Sequence, residues 1–370
     1  MRGVIKQWIS AVVVGLITIL SLELSLQVAF RFREGIGSSR KWRFRLNFAP
    51  HERLFIRHPY LVGTPRPSIT FGSVTHNSLG FRGPEIAKKK FRIRVVALGG
   101  STTYGTLVDD KMTWPALLQE ELGSNYEVIN LGVPGYSTSE NLIQTALFVS
   151  ELQPDVSIYF EGWNDLRNMY IENLKSDYSD FHAKSQASNL GLADREPHTR
   201  SATLYYLYKL LRQELVPNHE EDLIQVKGTQ DSYSANPDDR ALGFYKRNLS
   251  LIVAINKALG IRPILVPQVL NFESLTASTA YGWLPFIKDK DLKTCLAYYN
   301  NVMENIPLKG TGGMFARKIL RYSFSADDFV DQGHFSVQGN KKFASIMAEY
   351  VRSMRQPCKS QDCTLVEATN

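Results

Sequence analysis

Residues 8–22 form an unbroken apolar run, WISAVVVGLITILSL, with Arg2 and Lys6 before it and Glu23 after it. Fifteen residues fall short of the about 20 that a helix needs to cross a bilayer. With Glu23 near the interface, the helix runs on to Phe30 and reaches across. A core helix of a soluble domain keeps a polar face, and this run has none. The pattern therefore predicts an N-terminal membrane anchor over residues 1–30. A cleaved signal peptide shares the charged start and short apolar core, but no A-x-A cleavage pattern follows here.

The pattern changes after the run. Residues 31–90 are rich in Pro, Gly, Arg and aromatics, and HPYLVGTPRPSITFGSVTHNSLGFRGPE predicts short strands and turns, a collar leading into the main domain. From residue 93, three β-branched strands follow at intervals of roughly thirty residues, the spacing of βαβ units in a parallel sheet. The first, 93–98, ends in GGSTTYG and leads to a helix at 114–122. The second, 126–130, ends in LGVPGYST and leads to a helix at 139–151. The third, 156–160, ends in EGWND. All three loops fall at carboxyl ends of strands, where open α/β sheets place their ligands.

From 168 to about 240 the periodicity weakens into a polar stretch with one apolar helix candidate at 202–216, read as an insertion, a lid over the site. A helix at 244–259 and a strand at 263–266 resume the alternation. Residues 271–320 read as irregular, and an amphipathic helix at 336–354 closes the pattern. The expected plan is thus an anchor at 1–30, a collar at 31–90, a catalytic domain at 91–355 with its insertion, and a polar tail at 356–370.

Composition adjusts this picture at three points. A chain of 370 residues with 44% hydrophobic side chains holds one large α/β domain plus an anchor. The formal net charge of +7 is spread along the chain without a long basic run, so no nucleic-acid partner is expected. Some of the excess, at Arg31, Arg33, Arg40, Lys41, Arg43 and Arg45, follows the apolar run, where anionic lipid headgroups are the nearest partner. Taken alone, this cluster favours a cytoplasmic main domain. Of the three cysteines, Cys358 and Cys363 lie close together in the tail and Cys295 stands alone. The tail pair is compatible with a small disulfide loop or with two free thiols, and the count supports neither a disulfide framework nor a zinc site.

A serine hydroxyl is a poor nucleophile until a base takes its proton. Ser101 follows the first strand between Gly99-Gly100 and Thr102-Thr103, where a tight turn would lift its oxygen above the sheet edge. The competing reading is a helix N-cap serine in a glycine turn. A phosphate loop is disfavoured because the Walker lysine is missing. A base needs a carboxylate to fix its tautomer. Of seven histidines, His334 alone has an aspartate three residues earlier in a glycine-containing loop before a helix, Asp331 in DQGH. The others, His51, His58, His76, His182, His198 and His219, read as surface or structural. Negative charge on a carbonyl oxygen needs donors. Gly132 offers a backbone N–H and Asn164 a side-chain amide; a turn glycine and a helix cap formed with Asp165 are the alternatives. Trp163 and Tyr104 flank these positions and are candidates for lining a substrate pocket, or for packing.

Together ALGGSTTYG, NLGVPGYST, EGWND and DQGHFSVQG resemble the four blocks of the SGNH, or GDSL-type, hydrolase superfamily, in order and spacing, over residues 92–354. The resemblance implies a three-layer α/β/α flavodoxin-like fold with a parallel sheet, Ser101 as nucleophile, His334 as base and Asp331 as its orienter. It also implies an oxyanion hole from Ser101, Gly132 and Asn164. The expected activity is ester hydrolysis through an acyl-enzyme, with no metal or organic cofactor. One departure is Gly100, where the family's G-D-S carries aspartate. The collar resembles the stretch between membrane segment and hydrolase domain in bacterial members, which implies a catalytic domain outside the cytoplasmic membrane, against the charge balance. The expected substrates are esters of carbohydrate, surface polymer or lipid. An O-acyltransferase using the same acyl-enzyme and a non-catalytic polysaccharide-binding or assembly protein are the alternatives; oligomeric state is not legible.

Overall fold

A computed structural model describes residues 2–38, 54–87, 92–171, 174–179, 190, 192, 203, 238–273 and 287–354. The helix candidate at 202–216, nearly all of the insertion, and the tail with Cys358 and Cys363 lie outside these residues. The chain divides into two compact units, one containing the N-terminal helix and the other the α/β domain.

In the first unit, helix α1 (Arg2–Ser38) carries the apolar segment Gln7–Leu26, 20 residues of mean hydropathy 2.2, none of it buried. Among the described residues it is the one helix long and apolar enough to cross a membrane. Glu23 Oε2 in this segment accepts hydrogen bonds from Thr203 N–H at 2.9 Å and Thr203 Oγ1 at 2.8 Å.

The second unit opens with two short antiparallel pairs. Strands β1 (Phe55–Arg57) and β2 (Gly63–Pro65) pair with each other, as do β3 (Ile69–Phe71) and β4 (Val74–His76). The main sheet is then built from β5 (Ile93–Gly99), β6 (Tyr126–Asn130), β7 (Val156–Glu161), β8 (Arg262–Pro267) and β9 (Met314–Phe315). Its spatial order is β6-β5-β7-β8-β9 and every pairing is parallel. That is the doubly wound 2-1-3-4-5 order, whose switch point lies between β5 and β7.

Alternation along β5 divides the core. Val96 and Leu98 face a cluster with Tyr245, Leu249 and Ile252 of α6 (Asp239–Ala258) and Leu296, Tyr299 and Met303 of α7 (Leu292–Glu304). Val95 and Ala97 face Trp114, Leu117 and Leu118 of α3 (Trp114–Leu122) and Phe343, Ala344 and Met347 of α9 (Val337–Ser353). Helices thus cover both faces, the three-layer α/β/α arrangement that the resemblance implied. Shorter helices among the described residues include α2 (Ser101–Tyr104), α4 (Thr138–Gln144), α5 (Trp163–Leu166) and α8 (Lys318–Arg321), the last a single turn before α9.

Local signals set the helix starts. Thr113 caps α3, with Pro115 in its first turn, and Ser137 and Glu140 form a capping box on α4. One expectation is corrected: the stretch read as irregular contains α7. Its buried positions Leu292, Cys295, Leu296, Tyr299 and Met303 follow helical spacing. Tyr and Asn residues blur that stripe, because Tyr299 and Asn300 are buried while Tyr298 is only partly buried and Asn301 faces water.

Candidate active site

Ser101 is positioned by the end of β5. Gly99 adopts φ +149°, a conformation that side chains disfavour, and the chain turns at once into α2 with Ser101 as its first residue. The Ser101 N–H is therefore one of the first-turn donors that lack an intrahelical acceptor. Ser101 carbonyl oxygen accepts from Gly105 N at 2.8 Å and Thr106 N at 3.1 Å, which closes the turn.

His334 comes from the loop before α9. Its Nε2 lies 2.7 Å from Ser101 Oγ, and its Nδ1 lies 2.7 Å from Asp331 Oδ2. The other carboxylate oxygen, Oδ1, accepts from Gly333 N at 2.9 Å and His334 N at 2.8 Å. Burial pushes the Asp331 carboxyl upward, but these bonds outweigh it and hold it below the usual carboxylate range. An ionised Asp331 accepts from Nδ1–H, which leaves Nε2 as the acceptor facing the serine hydroxyl. The loop is tied to the segment after β8 by Asn271 N donating to Gln332 O at 2.9 Å, and to α2 by Thr102 Oγ1 donating to Gly333 O at 3.2 Å.

Asn164 stands at the end of β7, across the switch point. Its Nδ2 donates to Tyr136 O at 2.7 Å. A β-carbon built on Gly100 would lie 2.3 Å from that Nδ2. The departure from G-D-S thus has a physical correlate: the Asn164 amide occupies the space that a side chain at position 100 would need. Asp165 does not cap its own short helix. Its carboxylate accepts from Thr138 N at 3.0 Å and Thr138 Oγ1, so it caps α4 and pins the loop after β6 to the loop after β7.

Two sequence expectations are corrected here. The Gly132 N–H is donated to Asn130 Oδ1 at 3.0 Å, and a β-carbon at Gly132 would meet Tyr104 N at 2.4 Å. Gly132 is a packing glycine under α2 and presents no donor beside Ser101. The glycine adjoining the Asn164 contact is Gly135, at φ +82°, directly before Tyr136. Tyr104 lines neither of the clefts at Ser101: it is 3% exposed, its OH pairs with His76 Nε2 at 2.8 Å, and it packs on Phe55. Trp163 is among the residues lining the cleft beside Ser101 and also packs against the core.

Two shallow clefts meet at Ser101. One is lined by Gly100, Phe160, Glu161, Gly162, Trp163, Asn164 and Gln268. The other passes Gly105, Leu107, Val108, His334 and Asn340. Gln268 and Glu161 were not anticipated; both sit at carboxyl ends of strands, so the strand-end rule marks them once the strands are placed. Burial, reinforced by Asp165 and Glu140 and opposed by a hydrogen bond from Asn141, pushes the Glu161 carboxyl well above the ordinary range. Among the described residues no group of three or more His, Cys, Asp or Glu side chains is placed to hold a metal ion.

No curated protein matches the chain in sequence. Solved structures with a similar course include LAE5, an α/β hydrolase from the metagenome of Lake Arreo, Spain, at 13% identity and TM-score 0.41, covering 71% of this chain and 97% of that one. The acetyl xylan esterase AlAXEase gives 16% and 0.40, covering 70% and 100%. The lipase/acylhydrolase from Enterococcus faecalis gives 14% and 0.40, covering 72% and 98%. The family model for GDSL-like lipase/acylhydrolases matches residues 97–306, more than half of the chain and three of the four motif segments. The chain belongs to the GDSL-like lipase/acylhydrolase family and is a hydrolase acting on esters.

Proposed function

We propose that the protein is a membrane-tethered serine esterase in which Ser101 carries the acyl group. The observation that carries this reading is the relay Ser101 Oγ to His334 Nε2 to Asp331, two contacts of 2.7 Å each. Ser101 Oγ attacks the ester carbonyl and its proton passes to His334 Nε2, while ionised Asp331 stabilises the imidazolium through Nδ1–H. The oxyanion is met by the Ser101 N–H and the second amide hydrogen of Asn164, with the Gly135 turn supplying the third side. Collapse breaks the bond to the alcohol oxygen, which takes the proton from His334. Water then repeats the sequence on the acyl-serine.

An O-acylated carbohydrate or surface polymer is the proposed substrate. Clefts that are shallow and open on both sides of Ser101 suit an ester on a large molecule, and Trp163, Asn164 and Gln268 offer an aromatic face beside hydrogen-bonding amides. The tether is α1, whose 20-residue segment Gln7–Leu26 spans about 30 Å, the thickness of a bilayer core. The catalytic domain is assigned to the outer side, on the likeness of the collar to that of bacterial family members.

A fluorophosphonate probe tests the chemistry. Wild-type protein is expected to be labelled and Ser101→Ala, correctly folded, is not; labelling that survives the substitution identifies another nucleophile. Carbonate extraction tests the tether, with the full chain expected to stay in the membrane pellet and release into the supernatant contradicting it.

A further inference from the structure

The collar residues 54–87 lie outside the segment that matches the family, yet they end on the nucleophile's own turn. Arg82 is 4% exposed and nearly every donor of its guanidinium is engaged there. Nε donates to Asp110 Oδ1 at 2.8 Å, Nη1 to Tyr104 O at 2.8 Å and to Gly105 O, and Nη2 to Val108 O at 2.8 Å. The cation also sits 4.8 Å from the centre of the Tyr104 ring. Asp110 is fixed in turn by Thr75 N, which donates to Oδ2 at 2.8 Å.

These contacts bear on Ser101 through one peptide. Gly105 gives its carbonyl to Arg82, and its N–H to the Ser101 carbonyl at 2.8 Å. A four-residue helix has almost no stability of its own, and its last carbonyls need donors from elsewhere. Arg82 supplies them together with a positive charge at the favourable end of the turn. The collar holds the same turn a second time: His76 Nδ1 donates to Arg66 O at 3.1 Å, so its Nε2 accepts the Tyr104 hydroxyl. Burial, above all, lowers His76 to about 4, which keeps the ring neutral for that bond.

We propose that Arg82 is a positioning residue for the catalytic serine, a collar clamp that fixes the turn 104–108 and thereby the aim of Ser101 Oγ at His334. The inference rests on Ser101 being the nucleophile. A lysine cannot reproduce it, since one ammonium replaces a planar fork that reaches four acceptors.

The experiment compares wild type, Arg82→Lys and Asp110→Asn on p-nitrophenyl acetate and in the rate of fluorophosphonate labelling, with near-ultraviolet circular dichroism to establish the fold. A misplacement of about 1 Å costs on the order of a hundredfold in rate. Arg82→Lys is therefore expected to lower kcat and the labelling rate together by about 10- to 100-fold, with KM within about twofold. Asp110→Asn removes one anchor of the clamp and is expected to lose about three- to tenfold in the same two rates. If Arg82→Lys does not fold, Asp110→Asn decides. Wild-type kcat and labelling in a folded variant, or a loss confined to KM, overturns the clamp. Failure of the wild-type chain to label overturns the Ser101 reading and the clamp with it.

Discussion

Replacing Asp331 by asparagine isolates the part of the relay that depends on charge and tautomer. The carboxylate has two duties on opposite oxygens: Oδ1 accepts from two backbone N–H groups, and Oδ2 accepts from His334 Nδ1. An amide can satisfy only one of them. Turning its NH₂ toward the backbone would strand two donors, at about 1–3 kcal/mol each. The oxygen therefore stays with Gly333 and His334, and the NH₂ faces Nδ1. That nitrogen must become the acceptor, so the ring proton moves to Nε2 and points at Ser101 Oγ. A protonated Nε2 cannot take the hydroxyl proton. The corresponding change in a serine protease triad lowers kcat about ten-thousandfold, equivalent to about 5.4 kcal/mol at 1.36 kcal/mol per tenfold. The assay is steady-state turnover of p-nitrophenyl acetate at neutral pH with the fold checked independently. A loss of less than about tenfold would refute the tautomer argument.

Two further outcomes follow from named contacts. Asn164→Ala is expected to lower kcat about 100- to 1000-fold with KM little changed, measured on the same ester; a change in KM alone would move Asn164 from oxyanion donor to substrate binder. Glu161→Gln tests the buried acid cluster through pH. Because the native carboxyl titrates above its unfolded value, the native state binds more protons than the unfolded state in the window that rises from the ordinary glutamate range to the raised native value. Wild type therefore loses stability relative to Glu161→Gln as pH rises through that window, by up to about 1.4 kcal/mol per pH unit, and the difference closes in acid. Urea midpoints at several pH values measure it, and a pH-independent gap would show that Glu161 is already ionised in the fold.

The sheet was legible because its signals are local. Strands such as Ile93–Gly99 are β-branched and end at glycines, and their spacing leaves room for one helix each. The serine and histidine segments stood out for the same reason, since Gly-Gly before Ser101 and Asp331 before His334 are short-range patterns. The errors lie where distant segments decide. Gly132 and Gly135 share one loop, and only the packing of Thr103 and Tyr104 shows that the first is sealed beneath α2. Tyr104 adjoins the Ser101 turn in sequence, but its ring and hydroxyl are claimed by Phe55, His76 and Arg82, from 22 to 49 residues earlier. No pattern within the motif carries that information. Helix α7 was hidden by composition, because tyrosine and asparagine mark its buried as well as its wet face.

If Ser101 is the nucleophile, the acyl group must rest on its oxygen during turnover. The most direct measurement mixes wild-type protein with an activated acetyl ester, quenches in acid before deacylation, and maps the adduct by peptide mass spectrometry. One acetyl group is expected, on Ser101, formed at the rate of the pre-steady-state burst and missing in Ser101→Ala. Hydrolysis that proceeds with the acetyl group on another residue, or with no adduct at any quench time while Ser101→Ala turns over normally, would contradict it.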